Sequence, residues 1–255
     1  MNEYIFDSTL EIKYLFSRNE SSENLIVVFS GYSSDPILKA KYNYIKAIND
    51  INCNKLFILD NYGYDERGCW YLGEQLNFKV EKSVVDLIRY IQNKCSIGNE
   101  NVILSGTSKG GFASVYFGMK YGYGHIVAGA PQILLYNHIK NYPNIRDSML
   151  PIITDANINK LNNIILELDR KDINNFYLIC GTKDSHLKNH VVPLVSKLLN
   201  ENNLYIELID GNHGAIADYF NENLGSLINN IINKNIKFKT SQELYDMLKD
   251  FNMKI

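Results

Sequence analysis

The sequence predicts an α/β fold built on a mostly parallel sheet with helices on both faces. Three observations carry that prediction. Short runs of consecutive apolar residues, such as Leu25–Phe29 and Phe176–Cys180, have the composition of strands buried on both sides. Stretches with helical spacing, such as Val84, Leu87, Ile88 and Ile91, alternate with those runs. Each run also ends in a loop of small, polar or charged residues. In open parallel sheets, sites gather at the carboxyl ends of the strands.

Taken in order, residues 3–17 alternate apolar and polar side chains and predict an opening strand or hairpin. Leu25–Phe29 is a buried strand that ends in Ser30-Gly31-Tyr32-Ser33-Ser34, and a helix is expected over Leu38–Asn49. The strand Lys55–Leu59 runs into the aromatic, charged loop Asp60–Tyr71, and Val80–Lys94 has helical spacing. Asn101–Leu104 reads as a strand, followed by Ser105-Gly106-Thr107-Ser108-Lys109-Gly110-Gly111 and a helix. Gly124–Ala130 is a further short strand.

Residues 131–175, broken by Pro143, Pro151 and several asparagines, predict a small cap inserted between late strands, with helix over Leu161–Leu168. Phe176–Cys180 and Leu204–Ile209 are strands, with a helix over Val191–Asn200 between them and another from Ala215. The tail, 234–255, predicts a surface helix, with Ser241–Phe251 opening on the capping-box-like Ser241-Gln242-Glu243-Leu244. No repeat or linker divides the chain, so a single domain over 1–255 is expected.

Composition excludes several function classes. The formal net charge is −2 and the lysines are scattered, which offers no footprint for nucleic acid or an anionic membrane surface. Met1–Asp7 lacks the basic-then-apolar order of a secretory leader, and no apolar run approaches a membrane span. Cys53, Cys69, Cys95 and Cys180 form no CxxC pair, so a reducing cytoplasm is expected, without disulfides, metal or cofactor.

The chemistry centres on Gly106-x-Ser108-x-Gly110 between an apolar strand and a helix. This is the context of a nucleophile elbow, in which a sharp turn holds the serine Oγ clear of the sheet. A serine hydroxyl needs a positioned base. His213, in a glycine-flanked loop after the last strand, is the candidate; His125, His138, His186 and His190 are placed less well. The carboxylate that orients the imidazole is expected to be Asp184, with Asp210 as the rival. The preceding strand end offers only Ala130-Pro131-Gln132, without a carboxylate.

An oxyanion hole needs convergent N–H donors, expected from the backbone of Lys109 and of Tyr32 or Gly31. The Lys109 side chain opposes the helix dipole; it either lies at the surface or attracts an anionic or polyhydroxy substrate. Arg67 and Trp70 either join Gly31 in binding a sugar or belong to a loop that packs on itself.

Three stretches carry a resemblance: Gly106–Gly111, Tyr116–Tyr121 and His125–Gln132. With Asp60–Tyr64 and Gly211–His213, they resemble the XcbB/CpsF capsular-polysaccharide type and the α/β-hydrolase-like domain of an accessory Sec system family. The resemblance runs from about Leu25 to Phe220. It implies an α/β-hydrolase fold, a role in bacterial surface glycan or glycoprotein modification, and triad positions at Ser108, Asp184 and His213. Partner proteins of a polysaccharide or secretion assembly are implied as well. Together these readings predict a serine esterase or O-acyltransferase acting on a carbohydrate ester. The competing expectation is a non-catalytic module of the same fold that binds a glycan or a protein.

Overall fold

The computed structural model of the chain describes residues 1–33, 35, 37–63, 65–141, 158–169, 175–199 and 203–249. Strands β1 (Glu3–Phe6) and β2 (Ile12–Ser17) form an antiparallel hairpin in the register Glu3↔Leu15 to Phe6↔Ile12. β3 (Leu25–Phe29) and β4 (Asn54–Ile58) lie parallel, and β2 joins β4 antiparallel. β5 (Val102–Thr107), β6 (His125–Gly129), β7 (Asn175–Gly181) and β8 (Leu204–Ile209) continue the parallel array beyond β3. The order is β1-β2-β4-β3-β5-β6-β7-β8 in one eight-stranded sheet. Strand order reverses direction at β3 and β5, and a sheet of this kind opens a crevice at that point.

The central strands are apolar throughout because helices cover both faces: every residue of β3 and β4 is buried. Each fully buried Val, Leu or Ile contributes about 1.5–3 kcal/mol. Helix α1 (Lys79–Cys95) turns Val80, Val84, Leu87, Ile88 and Ile91 inward, a stripe with the expected helical spacing. Helix α2 (Lys109–Tyr121) is buried from Lys109 to Met119 and ends at Gly122, whose φ of 71° suits a glycine cap.

The cap segment contributes α3 (Leu135–Asn141) and α4 (Ile158–Asn163), which meet through hydrogen bonds between Asn137 and Asn162. α4 begins before the expected Leu161–Leu168 helix and passes into a turn by Ile164. The rest of the expected cap, 142–157 and 170–174, lies outside the described residues. After β7 a wide turn, Leu187–Val191, leads into α5 (Val192–Leu198). α6 (His213–Ile232) packs Ile216, Phe220, Leu224 and Ile228 inward, and α7 (Ser241–Lys249) closes the described chain.

Two local expectations change. Residues 38–49 form turns and irregular chain instead of a helix. Tyr44 sits at φ 59° with its hydroxyl on Thr107 Oγ1 at 2.7 Å, and Asn43 Oδ1 accepts from Gly31 N at 2.7 Å. Ties to two strand ends fix a path that helical propensity would not take. The cap of α7 is Thr240: Thr240 N donates to Glu243 Oε2 at 2.7 Å and Glu243 N to Thr240 Oγ1 at 3.2 Å. The capping box thus begins one residue before Ser241.

Candidate active site

Ser108 stands at the end of β5 with φ 55° and ψ −113°, a strained conformation for a residue with a side chain. The turn closes only because its neighbours lack Cβ atoms. A methyl on Gly106 would lie 2.6 Å from the carbonyl carbon of Gly110, and one on Gly110 would lie 2.6 Å from Phe29 O. Ser108 N donates to Gly129 O at 2.8 Å, tying the elbow to β6.

Two other strand ends meet it. Asp184 follows β7 and His213 opens α6, where Asn212 caps the helix by accepting from Gly214 N at 3.0 Å. His213 Nε2 lies 3.2 Å from Ser108 Oγ, and His213 Nδ1 lies 2.8 Å from Asp184 Oδ2. A carboxylate only accepts, so Nδ1 carries the proton and Nε2 faces Ser108 with a lone pair. Burial of Asp184 favours its neutral form. Hydrogen bonds from His213 and from His186 N (2.9 Å to Oδ1) outweigh burial and hold its pKa below the ordinary value. The rival, Asp210, turns away to solvent and pairs with Lys183 Nζ at 2.8 Å.

A cleft of about 450 Å³ opens over these residues, with Gly31, Tyr32, Thr107, Gln132 and His186 among its walls. Gly31 N is occupied by Asn43, which leaves Tyr32 as the donor expected from this loop beside Lys109 N. The Lys109 side chain settles the two readings left open above by matching neither. It is fully buried, and its ammonium lies 2.8 Å from Asp60 Oδ2, an oxygen that also accepts from Cys69 N and Tyr71 N. The ammonium therefore anchors the Asp60–Tyr71 loop and does not meet a substrate.

Arg67 and Trp70 likewise pack inward. Arg67 pairs with Asp65 and lies 4.9 Å over the Tyr32 ring; Trp70, fully buried, stacks on Tyr32 at 5.3 Å. Neither lines the cleft, so their place is behind Tyr32. Gln132, which the sequence offered only as a position without a carboxylate, is 2 % exposed and donates from Nε2 to Ser108 Oγ at 2.8 Å. Its place at the end of β6 was the available signal.

Three further histidines pack beside the cleft. His186 lies 4.2 Å from His213 ring to ring, and ligating atoms of His138, His186 and His190 lie within 4.8 Å of one another. Burial, then neighbouring histidines, lowers the pKa of His138 to about 2 and of His190 to about 3, so both rings are neutral. His190 Nδ1 accepts from Leu134 N at 3.1 Å, and His138 Nε2 accepts from Gln132 Nε2 at 2.9 Å. Each of these two rings therefore carries its proton on the other nitrogen, where a metal would need a lone pair. The donor set does not fit a metal ion in this arrangement. Asp184, His186 and His213 also cluster, but their ring and carboxylate atoms already serve the chain of hydrogen bonds to Ser108.

Comparison with known proteins adds to this geometry. The capsule O-acetyltransferase of Neisseria meningitidis serogroup A superposes with a TM-score of 0.73 at 27% identity, covering 86% of this chain and 91% of that one. The Glycosylation Associate Protein (Gap123) complex from Streptococcus agalactiae superposes with a TM-score of 0.70 at 20% identity, over 89% of this chain and 46% of that one. A fluorophosphonate-binding serine hydrolase of Staphylococcus aureus, FphF, shares the fold at TM-score 0.57 and 11% identity, over 86% of this chain and 96% of that one. No curated protein sequence matches the chain. The family described as accessory Sec system GspB-transporter matches residues 5–178, a span that holds Ser108 and Gln132 and stops short of Asp184 and His213. The fold is that of the α/β-hydrolase esterases, and the chain belongs to the accessory Sec system GspB-transporter family.

Proposed function

We propose that this protein is a serine-dependent O-acyltransferase or esterase that works through an acyl-enzyme on a carbohydrate ester. The observation that carries the reading is the continuous chain Ser108 Oγ, His213 and Asp184, at 3.2 and 2.8 Å, on three separate strand ends. Ser108 Oγ attacks the acyl carbonyl carbon while His213 Nε2 takes its proton, and the carbonyl electron pair moves onto oxygen. Lys109 N and Tyr32 N would stabilise that oxyanion. Collapse expels the leaving group, which takes the proton from His213. Water or a sugar hydroxyl then gives its proton to His213, attacks the acyl carbon, and frees Ser108.

Similarity to a capsule O-acetyltransferase supports transfer to a glycan hydroxyl, and the same transferase has been solved with CoA, which makes an acyl-CoA a donor to test. A cytoplasmic, single-domain protein belongs to the same reading. Free cysteines at Cys53, Cys69, Cys95 and Cys180 support the compartment. Among the described residues, no helix is long and apolar enough to cross a membrane.

The test is labelling by a fluorophosphonate probe, with release of acetate from p-nitrophenyl acetate measured alongside. Labelling that disappears in Ser108→Ala supports the enzyme; a folded wild-type protein that stays unlabelled defeats it. The second reading, a non-catalytic module in an accessory Sec assembly, draws on the family match and on the Gap123 likeness. It would prevail if the unlabelled protein bound a secretion-system partner.

A further inference from the structure

We propose that Gln132 is a catalytic residue of this site: its side-chain amide donates to Ser108 Oγ and stabilises negative charge on that oxygen as bonds to it form and break. This rests on the acyl-enzyme reading above and assigns a role that the triad and the backbone oxyanion donors leave open.

The direction of the amide is fixed by its neighbours. Trp70 Nε1–H can only donate, and it lies 2.7 Å from Gln132 Oε1, so that end of the amide must be the oxygen. Both Nε2 protons then point the other way, one to Ser108 Oγ at 2.8 Å and one to His138 Nε2 at 2.9 Å. The residue is 2 % exposed and Trp70 is fully buried, so water does not compete for these bonds. Every hydrogen-bonding group of the amide is spent, and only one orientation satisfies all of them.

Two consequences follow for the serine. An Oγ that accepts from Gln132 has its own proton left to donate, and the acceptor within reach is His213 Nε2 at 3.2 Å. Gln132 thus turns the hydroxyl toward its base. In the acyl-enzyme, Oγ is the ester oxygen. During deacylation the bond from acyl carbon to Oγ breaks, its electron pair goes to Oγ, and the proton returns from His213. A donor already seated on Oγ lowers the cost of that charge. Lys109 N and Tyr32 N act on a different atom, the carbonyl oxygen, so the effects separate in kinetics.

The experiment uses the full chain with p-nitrophenyl acetate, comparing wild type, Gln132→Leu and Gln132→Glu, with circular dichroism as a check on folding. Gln132→Leu should lose about 10²-fold in kcat, with KM falling alongside as acyl-enzyme accumulates after the burst. Gln132→Glu gives a readout that a merely structural role would not move. Its carboxylate would accept the serine proton and draw it from His213. Its protonated form can donate to Oγ as the amide does. The ratio of variant to wild-type kcat/KM should therefore rise as pH falls through the glutamate pKa.

Wild-type-like kcat in Gln132→Leu, or a Gln132→Glu deficit independent of pH, would overturn the role of Gln132 and leave the acyl-enzyme reading standing. Should Gln132→Leu fail to fold, the pH profile of Gln132→Glu decides. A folded wild type inert toward both ester and fluorophosphonate would overturn both together.

Discussion

Two acid–base pairs flank the elbow, and they are built to opposite specifications. Asp60 and Lys109 are both fully enclosed, joined at 2.8 Å, with backbone N–H groups of Cys69 and Tyr71 completing the carboxylate. Asp184 is as well buried, with 1 % of its side chain exposed, but its partner His213 is 44 % exposed at the floor of the cleft. A closed pair fixes geometry and cannot exchange protons with a ligand. A half-open pair keeps the acid in place and presents the base. The same motif of charge partners serves as a loop anchor on one side and as candidate chemistry on the other, and access to solvent separates them.

The largest effect should come from breaking the half-open pair. Asp184→Asn should preserve the fold, as checked by circular dichroism, yet lower turnover of p-nitrophenyl acetate by up to about 10⁴-fold. The amide would favour the wrong tautomer of His213. Near-normal turnover would dissolve the contrast between the pairs.

Breaking the closed pair should act on stability first. Asp60→Ala strands the Lys109 ammonium in the core and should cost about 3–5 kcal/mol in denaturant unfolding. Part of the activity should go with it, because the same loop carries Trp70 and so the orientation of Gln132. An unchanged midpoint would mean that the buried pair is no anchor.

A pH series sharpens the comparison further. Burial lowers the folded pKa of His125 to about 4, of His190 to about 3 and of His138 to about 2, while the unfolded value is near 6.5. Below about pH 6.5 the unfolded chain binds protons that the native state does not, so stability falls as pH falls. The pKa of Asp184 is lowered as well, so its effect has the same sign but falls in a lower pH window. Its contribution is present above the unfolded carboxylate value of 3.8 and is lost only as pH drops below it, through the lowered folded pKa. The Tm should therefore fall between pH 7 and 5 before the Asp184 pair is touched; a flat Tm over that range would contradict the neutral histidine cluster.

The smallest effect is expected from Asp210→Asn. This carboxylate is exposed and paired with an exposed lysine. Neither stability nor turnover should move measurably. A large loss of activity would make Asp210, and not Asp184, the partner that matters to His213.

Sequence alone determined the skeleton. Leu25–Phe29 and Leu204–Ile209 are strands with the expected bounds, and the nearness of Ser108, Asp184 and His213 was legible because all three end parallel strands. Apolar runs and glycine spacing are local signals, and local rules read them. Tertiary structure decided where the remaining polar groups point. Lys109 finds Asp60 across 49 residues, and Trp70 finds Gln132 across 62. The irregular path of residues 38–49 likewise hangs on Tyr44 reaching Thr107. No periodicity encodes such meetings. A buried polar side chain takes the direction in which its hydrogen bonds can be met, and the partners are known only once the chain has folded.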